Sequence, residues 1–154
     1  MALTGKIQGA GPRGLMVAGV EGGTRFRLDD QTLVMRATPV AAGALTPGMH
    51  VTFKSEGNRL LGMVAMASPL PRDVAAGMKA GGVQMGILKA VQPNRVQIQE
   101  GKAAPAWFQT GPRTQFFQDV AASQKDLVAT ARVLVAYSWW EEGKFLARYV
   151  RIVP

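Results

Sequence analysis

The chain carries little of the usual equipment for covalent or acid–base chemistry. It has one histidine, His50, and no cysteine, so thiolate nucleophiles, disulfides and cysteine metal sites are excluded. No nucleophile elbow, phosphate-binding loop or dinucleotide fingerprint is present. Gly9-Ala10-Gly11-Pro12-Arg13-Gly14 does spell G-x-G-x-x-G. A proline sits inside it and a strand pattern follows, so it reads as a hairpin turn. Asp29-Asp30 and Glu141-Glu142 are adjacent acidic pairs. Neighbours on a strand face opposite sides, so adjacency does not make a catalytic pair, and both fit turns. The expectation is a protein that is not an enzyme and holds no cofactor.

Soft-metal binding is a separate question. The eight methionines include Met35, Met49, Met63 and Met66, with His50 beside Met49. Thioether plus imidazole suits Cu(I), which makes a Met/His copper carrier a weaker alternative. Only His50 is a strong ligand, and Met63 and Met66 face opposite ways on a regular strand. The methionines therefore read as apolar filling, and no metal site is assigned.

What the sequence offers is positive charge beside aromatic rings. The formal net charge is +8, with seven Lys/Arg against four Asp/Glu in residues 1–69 and nine against five in residues 86–154. An evenly spread field of this sign favours an anionic partner. Thr24 to Leu28 alternates cleanly, with Phe26 and Leu28 inward and Arg25 and Arg27 outward. Arg36 is expected on the outer face of an adjoining strand. In the later half Trp107 takes the place of Arg25, and it points outward if Phe108 is core. Trp139 and Trp140 sit at a hairpin tip. A basic surface with exposed rings suits single-stranded nucleic acid, where each stacked base is worth about 1–3 kcal/mol. Arg25, Arg27, Arg36, Trp107, Trp139 and Trp140 are thus the candidate ligand-binding residues. Structural roles compete at each: a solvated arginine face, Trp107 as cover between modules, and the tryptophan pair folded onto a neighbour.

These residues must be positioned by short strands. The 18 glycines and 9 prolines suit many strands with tight turns. The closing stretch, residues 126–154, echoes residues 44–69: leucine, a turn, a strand, a turn, a longer apolar strand, then proline. The offset is 81 at the first glycine (Gly5 to Gly86), 82 at the threonine (Thr32 to Thr114) and 85 at the closing proline (Pro69 to Pro154). The expectation is an all-β chain of two tandem small OB-like β-barrels of five to six strands each, with short helical turns. A pair of β-sandwich halves is the runner-up. Residues 1–69 form the first barrel, 70–85 a Pro/Gly-rich linker and 86–154 the second barrel. The linker could hold a short helix with Asp73 as its N-cap, weakened by Gly77, Gly81 and Gly82.

The strands Arg59 to Ala67 and Phe145 to Val153 are apolar on nearly both faces. A strand buried on both sides needs cover, from the other module, from a second copy or from a partner protein. A structural or adaptor subunit is therefore the alternative to an anionic-polymer binder. No apolar run is long enough to span a bilayer, and no signal peptide is evident. The default expectation is cytoplasmic, or periplasmic/envelope if a leader has been removed.

Gly5-x-Ile7, Asp29-x-x-Thr32 and Leu45-x-x-Gly48-x-x-Val51-x-Phe53, each following or preceding a hairpin, resemble an uncharacterised bacterial family of small OB-like barrels, often found in envelope or secreted proteins. The resemblance covers residues 5–69 well and 86–154 more loosely, where Gly111 replaces Asp29 and Thr130 replaces Gly48. It implies a fold and carries no activity.

Overall fold

A computed structural model describes residues 1–19, 22–141 and 144–154, with the side chains of 140 and 141 outside that description. The chain is all-β, as the alternation indicates. In order it forms β1 (Ala2–Gly11), β2 (Gly14–Gly19), β3 (Gly22–Arg27), β4 (Leu33–Pro39), β5 (His50–Glu56) and β6 (Arg59–Met66). Helix α1 (Arg72–Ala80) follows, then β7 (Gln84–Gln92), β8 (Arg95–Gln99), β9 (Ala106–Gln109), β10 (Gln115–Ala121), β11 (Arg132–Glu141) and β12 (Lys144–Val153). Short 3-10 turns at Ala42–Ala44 and Gln124–Asp126 precede the two long hairpins.

The strands gather into two compact units that interleave along the chain. The first is Met1–Ala37, Leu70–Gly81 and Val120–Pro154; the second is Thr38–Pro69 and Gly82–Asp119. The expected division at 1–69 and 86–154 is therefore corrected. The hairpin β5–β6 belongs with β7–β9, and the hairpin β11–β12 belongs with β1–β3. The physical reason lies in what alternation encodes. It fixes which face of a strand is buried and hence its register. It does not fix which of two similar edges the strand meets.

In the first unit the order β11-β1-β2-β3-β12 closes through β11–β12 into a five-stranded barrel. All neighbours are antiparallel except β3 and β12, which run parallel at Phe26 opposite Phe145 and Arg27 opposite Leu146. β4 then joins the far end of β12 in parallel, Leu33 to Arg36 against Tyr149 to Ile152. The interior holds Ile7, Val17, Phe26, Val135 and Val150, each from the inward set of its strand, with Leu28 just beyond β3. β12 is buried on both faces, since Tyr149, Val150, Arg151 and Ile152 are all nearly inaccessible. This half of the strand, which was expected to need cover, is thus buried within the chain. Arg151 is buried with it, donating from Nε to the Tyr149 hydroxyl at 3.1 Å.

The second unit repeats the pairing scheme with other strands. β5 pairs with β6 and β7, β7 with β8, and β8 with β9. The circuit returns to β6 at Arg59 opposite Gln109, supported by the Gln109 amide donating to the Asn58 carbonyl at 2.7 Å. β10 joins β6 in parallel. Val51, Phe53, Leu60, Met63, Val96, Ile98 and Phe108 fill this interior.

Local devices match between the units. Thr32 Oγ1 accepts from the Asp29 amide (3.0 Å) and donates to the Ala147 carbonyl (2.7 Å). Thr114 Oγ1 does the same with the Gly111 amide (2.9 Å) and the Leu60 carbonyl (3.0 Å). Thr32 thus ties its turn to β12, and Thr114 ties its turn to β6, each within its own unit. The change from Asp29 to Gly111 is tolerated because the backbone amide at that position makes the bond.

Helix α1 packs against β11 and β1, burying Val74 and Met78 one turn apart. Asp73 is not its N-cap. The cap is Pro71, which has no side-chain bond, and Asp73 lies inside the first turn, where a carboxylate suits the helix dipole. It accepts from Arg148 Nε at 3.0 Å. Gly77 and Gly81 do not make the helix fail. Cβ atoms there would lie 2.8 Å from the Met1 nitrogen and 2.7 Å from the Ala2 Cβ, so the glycines allow its close approach to β1.

Candidate functional site

The first unit exposes a flat face on β1–β2–β3. Two cross-strand rows define it: Gly9–Met16–Arg25, and Gly11–Gly14–Arg27. The register shift between Ile7 and Gly9 is a bulge that turns the glycines outward beside the arginines. Arg25 and Arg27 are both exposed, while Phe26 and Leu28 between and beyond them are core. The alternation read from sequence is therefore the one observed. The Gln8 side chain lies across the sheet, for a Cβ at Gly23 would sit 2.9 Å from Gln8 Oε1 and 3.3 Å from Met16 Sδ. Beside it lies an open groove of about 380 Å³ lined by Gln8, Gly9, Gly11, Gly14, Met16 and Arg25, and also by Ala10, Leu15 and Phe26 from the inward set of the same strands.

Arg36 does not join this face. It is on β4, whose partner is β12 rather than β3, at Arg36 opposite Ile152. Arg27 meets β12 at Leu146. The two positions are six residues apart along one strand, about 20 Å at strand rise. Arg36 Nη2 instead lies 3.8 Å from Asp126 Oδ1. Asp126 closes a capping box with Ser123. The Ser123 amide donates to its Oδ2 at 2.9 Å and, as the leading cause, holds the carboxyl below its ordinary range; Ser123 Oγ and Arg36 act the same way.

Trp139 lies on β11 opposite Phe145 and is 62% exposed. Its ring meets Phe145 edge-on at 5.1 Å. Phe145 in turn meets Tyr137 (5.0 Å) and Phe26 (6.2 Å), so an aromatic ladder runs from the barrel interior to Trp139 at its rim. Phe26 lies opposite Phe145 on β3, two strand spacings from Trp139, about 10 Å. The first unit thus carries Arg25, Arg27 and Trp139, but the Trp139 ring shares the sheet face of Phe26 and Phe145, opposite the one that bears the two arginines. The Trp140 side chain lies outside the described residues.

Trp107 belongs to the second unit. It is half-buried and carries Arg95, whose guanidinium carbon is 3.8 Å from the ring centre. Arg95 Nε donates to Gln92 Oε1 at 2.7 Å, which fixes the stack. Sequence reading found Trp107 and missed Arg95. The available signal was the register: strand residues at diagonal positions on one face come within reach. It also missed the glycine floor, because Gly9, Gly11 and Gly14 were assigned only to a turn.

His50 faces Met66 across β5–β6. Met63 is buried in the second unit's core, Met49 Sδ accepts from the Thr46 amide, and Met35 is in the other unit. The methionine set is not gathered around His50. Among the described residues no group of three His, Cys, Asp or Glu is placed to hold a metal ion. Among the described residues no helix is long and apolar enough to cross a membrane. No protein-family model matches the chain, and neither the curated proteins nor the solved structures give a match.

Proposed function

We propose that the chain is a non-catalytic binding protein for an anionic polymer, most specifically single-stranded nucleic acid. Counted in chain order, the first unit's five strands close as 1-2-3-5-4-1 with strands 3 and 5 parallel; the second unit traces the same circuit only when the count begins at β7 and ends with β5 and β6, which precede it in the chain. The first unit's order is that of an OB-type barrel, which supports the reading, and two copies of one such module with their closing hairpins exchanged would account for the matched devices and for the recurring sequence. The resemblance to small bacterial OB-like barrels agrees with this. OB barrels take single strands across the face of strands 2 and 3, using a basic groove and stacking rings. The observation that carries the reading is the outward face of β1–β2–β3, which combines the open groove with Arg25 and Arg27. The net charge of +8 supplies the long-range attraction.

Fluorescence anisotropy with a labelled oligonucleotide tests it across a salt series. Binding should be measurable at about 50 mM salt, and log K should fall linearly with log salt as counterions are released. No binding at low salt would end the proposal. A second reading, a protein adaptor, is favoured by the exposure of Trp139 on Phe145. Self-association that disappears in Trp139→Ala, seen by light scattering, would support it, and a strict monomer at high concentration would leave only a different partner.

A further inference from the structure

The same outer face exists in both units and is filled differently. In the second unit the rows are Ala90–Gln97–Trp107 and Gln92–Arg95–Gln109, after a bulge between Leu88 and Ala90. Arg95 and Trp107 are diagonal neighbours stacked at 3.8 Å. In the first unit the rows are Gly9–Met16–Arg25 and Gly11–Gly14–Arg27. Arg25 stands at the register position of Trp107, and Gly14 at that of Arg95. Where the second unit lays a guanidinium over its own indole, the first has a guanidinium beside the bare hydrogen of a glycine.

Space, shape and charge at this position agree. A Cβ at Gly9 or Gly11 would meet nothing within 4 Å, and one at Gly14 only the Phe26 carbonyl at 3.9 Å. The groove of about 380 Å³ falls within the ~300–1,000 Å³ of small-ligand pockets. Three glycines leave part of its lining as bare backbone beside the side chains of Leu15, Met16 and Phe26, a largely apolar surface that accepts a flat ring. Guanidinium planes stack on aromatic rings, as the second unit already does with its own side chains. Gln8, lying across the sheet toward Gly23, offers a carboxamide that can both donate to and accept from a base edge. Arg27, in the row of Gly14, places a second cation where a phosphate beside the ring would fall.

We propose that the first unit binds one unpaired base of a single strand in this groove, stacked on Arg25 with the adjoining phosphate on Arg27. The matching face of the second unit is closed to a base by its own Arg95–Trp107 stack. This deepens the reading of the chain as a single-strand binder and rests on it. The two barrels are then unequal: one reads bases, the other does not.

The test uses a fluorescein-labelled thymidine decamer at about 50 mM salt, with the full chain. The variant Gly14→Arg/Arg25→Trp rebuilds the second unit's stack in the first without changing net charge. Losing one stacked base corresponds to roughly 5–150-fold, so this variant should bind at least ~10-fold more weakly. Arg25→Gln, at an exposed position that cannot compromise folding, should weaken binding similarly, and Trp107→Ala should leave it within ~2-fold. Far-UV circular dichroism checks the fold of each. If the parent binds and both first-unit variants stay within ~2-fold, the groove is not the site and the inference fails while single-strand binding survives. If Trp107→Ala alone loses binding, the assignment of the units is reversed and the inference fails. If the parent does not bind the decamer, the broader reading falls as well.

Discussion

Thr130 is held with φ at +75°, and among the described residues it is the one non-glycine in that region. Its counterpart in the other unit is Gly48, at φ +96°. Both positions are fixed by the same hydrogen bonds. The Thr130 amide donates to the Ile7 carbonyl and the Ile7 amide to the Ala131 carbonyl, each at 2.8 Å. The Gly48 amide donates to the Leu88 carbonyl at 2.7 Å, and the Leu88 amide to the Met49 carbonyl at 2.9 Å. Rotating Thr130 into an ordinary conformation would break the pair that seats the loop on β1, so the strain persists. For an L-residue this region costs about 1–2 kcal/mol, and a β-branched side chain belongs at the upper end. Glycine removes that cost but gives back about 0.5–1 kcal/mol of unfolded-chain entropy. Thr130 is exposed, so no packing is lost. Thr130→Gly should therefore stabilise the protein by about 1 kcal/mol, which for a chain of this size raises the thermal midpoint by roughly 2–4 °C. Gly48→Thr should do the reverse. Urea titration followed by circular dichroism, with thermal melts alongside, measures both. A Thr130→Gly midpoint at or below the parent's would refute the strain argument.

Two further outcomes follow from the geometry. Gly86→Ala should destabilise by about 1–3 kcal/mol, the cost of forced overpacking, because a Cβ there would lie 2.5 Å from the Gln99 carbonyl and 2.7 Å from Ile98 Cγ2. A neutral effect in urea titration would mean that β7 can slide on β8. Asp126 has its carboxyl pKa lowered in the folded state from an ordinary 3.8, chiefly by the Ser123 amide. A depressed folded pKa gives stability that is present above 3.8 and lost as pH falls through the lower folded value. Asp126→Asn should therefore be less stable than the parent at neutral pH, with the gap closing below about pH 3.8; a gap that widens on acidification contradicts the assignment.

Much of the fold could be read from alternation alone. Phe26 and Leu28 inward with Arg25 and Arg27 outward, Val51 and Phe53 inward, and Phe108 as core are all period-2 statements about one strand's two faces, and the structure keeps them. Gly5 and Gly86, matched in the sequence at an offset of 81, likewise take equivalent places inside β1 and β7, where both abut a neighbouring strand's carbonyl, Ala18 and Gln99 respectively. Pairing partners were not legible, because the edges that accept the closing hairpins are similar and the chain can reach either. Loop length barely opposes the longer route, since closure entropy grows only logarithmically. Arg36 was misplaced for that reason: its strand follows β3 in sequence, and β12 lies between them. At the candidate site the charged residues were readable and the space was not. A glycine in a strand announces either a turn or a bare floor, and only the register of β1 on β2 decides between them.

The nesting of the units has a consequence for how the protein is made. β1 to β3 emerge from the ribosome first, but the strands that close their barrel begin at Arg132, about a hundred residues later. At a synthesis rate of about 5–20 residues per second, that is roughly 5–20 s. Through that interval β1 and β3 have open edges, the kind that pair indiscriminately with other chains. The second unit, enclosed in the middle of the chain, has all its strands by Asp119 and can close first. The earliest strands translated are thus the last to be sealed, so the nascent chain, more than the finished one, is where this architecture is exposed to aggregation.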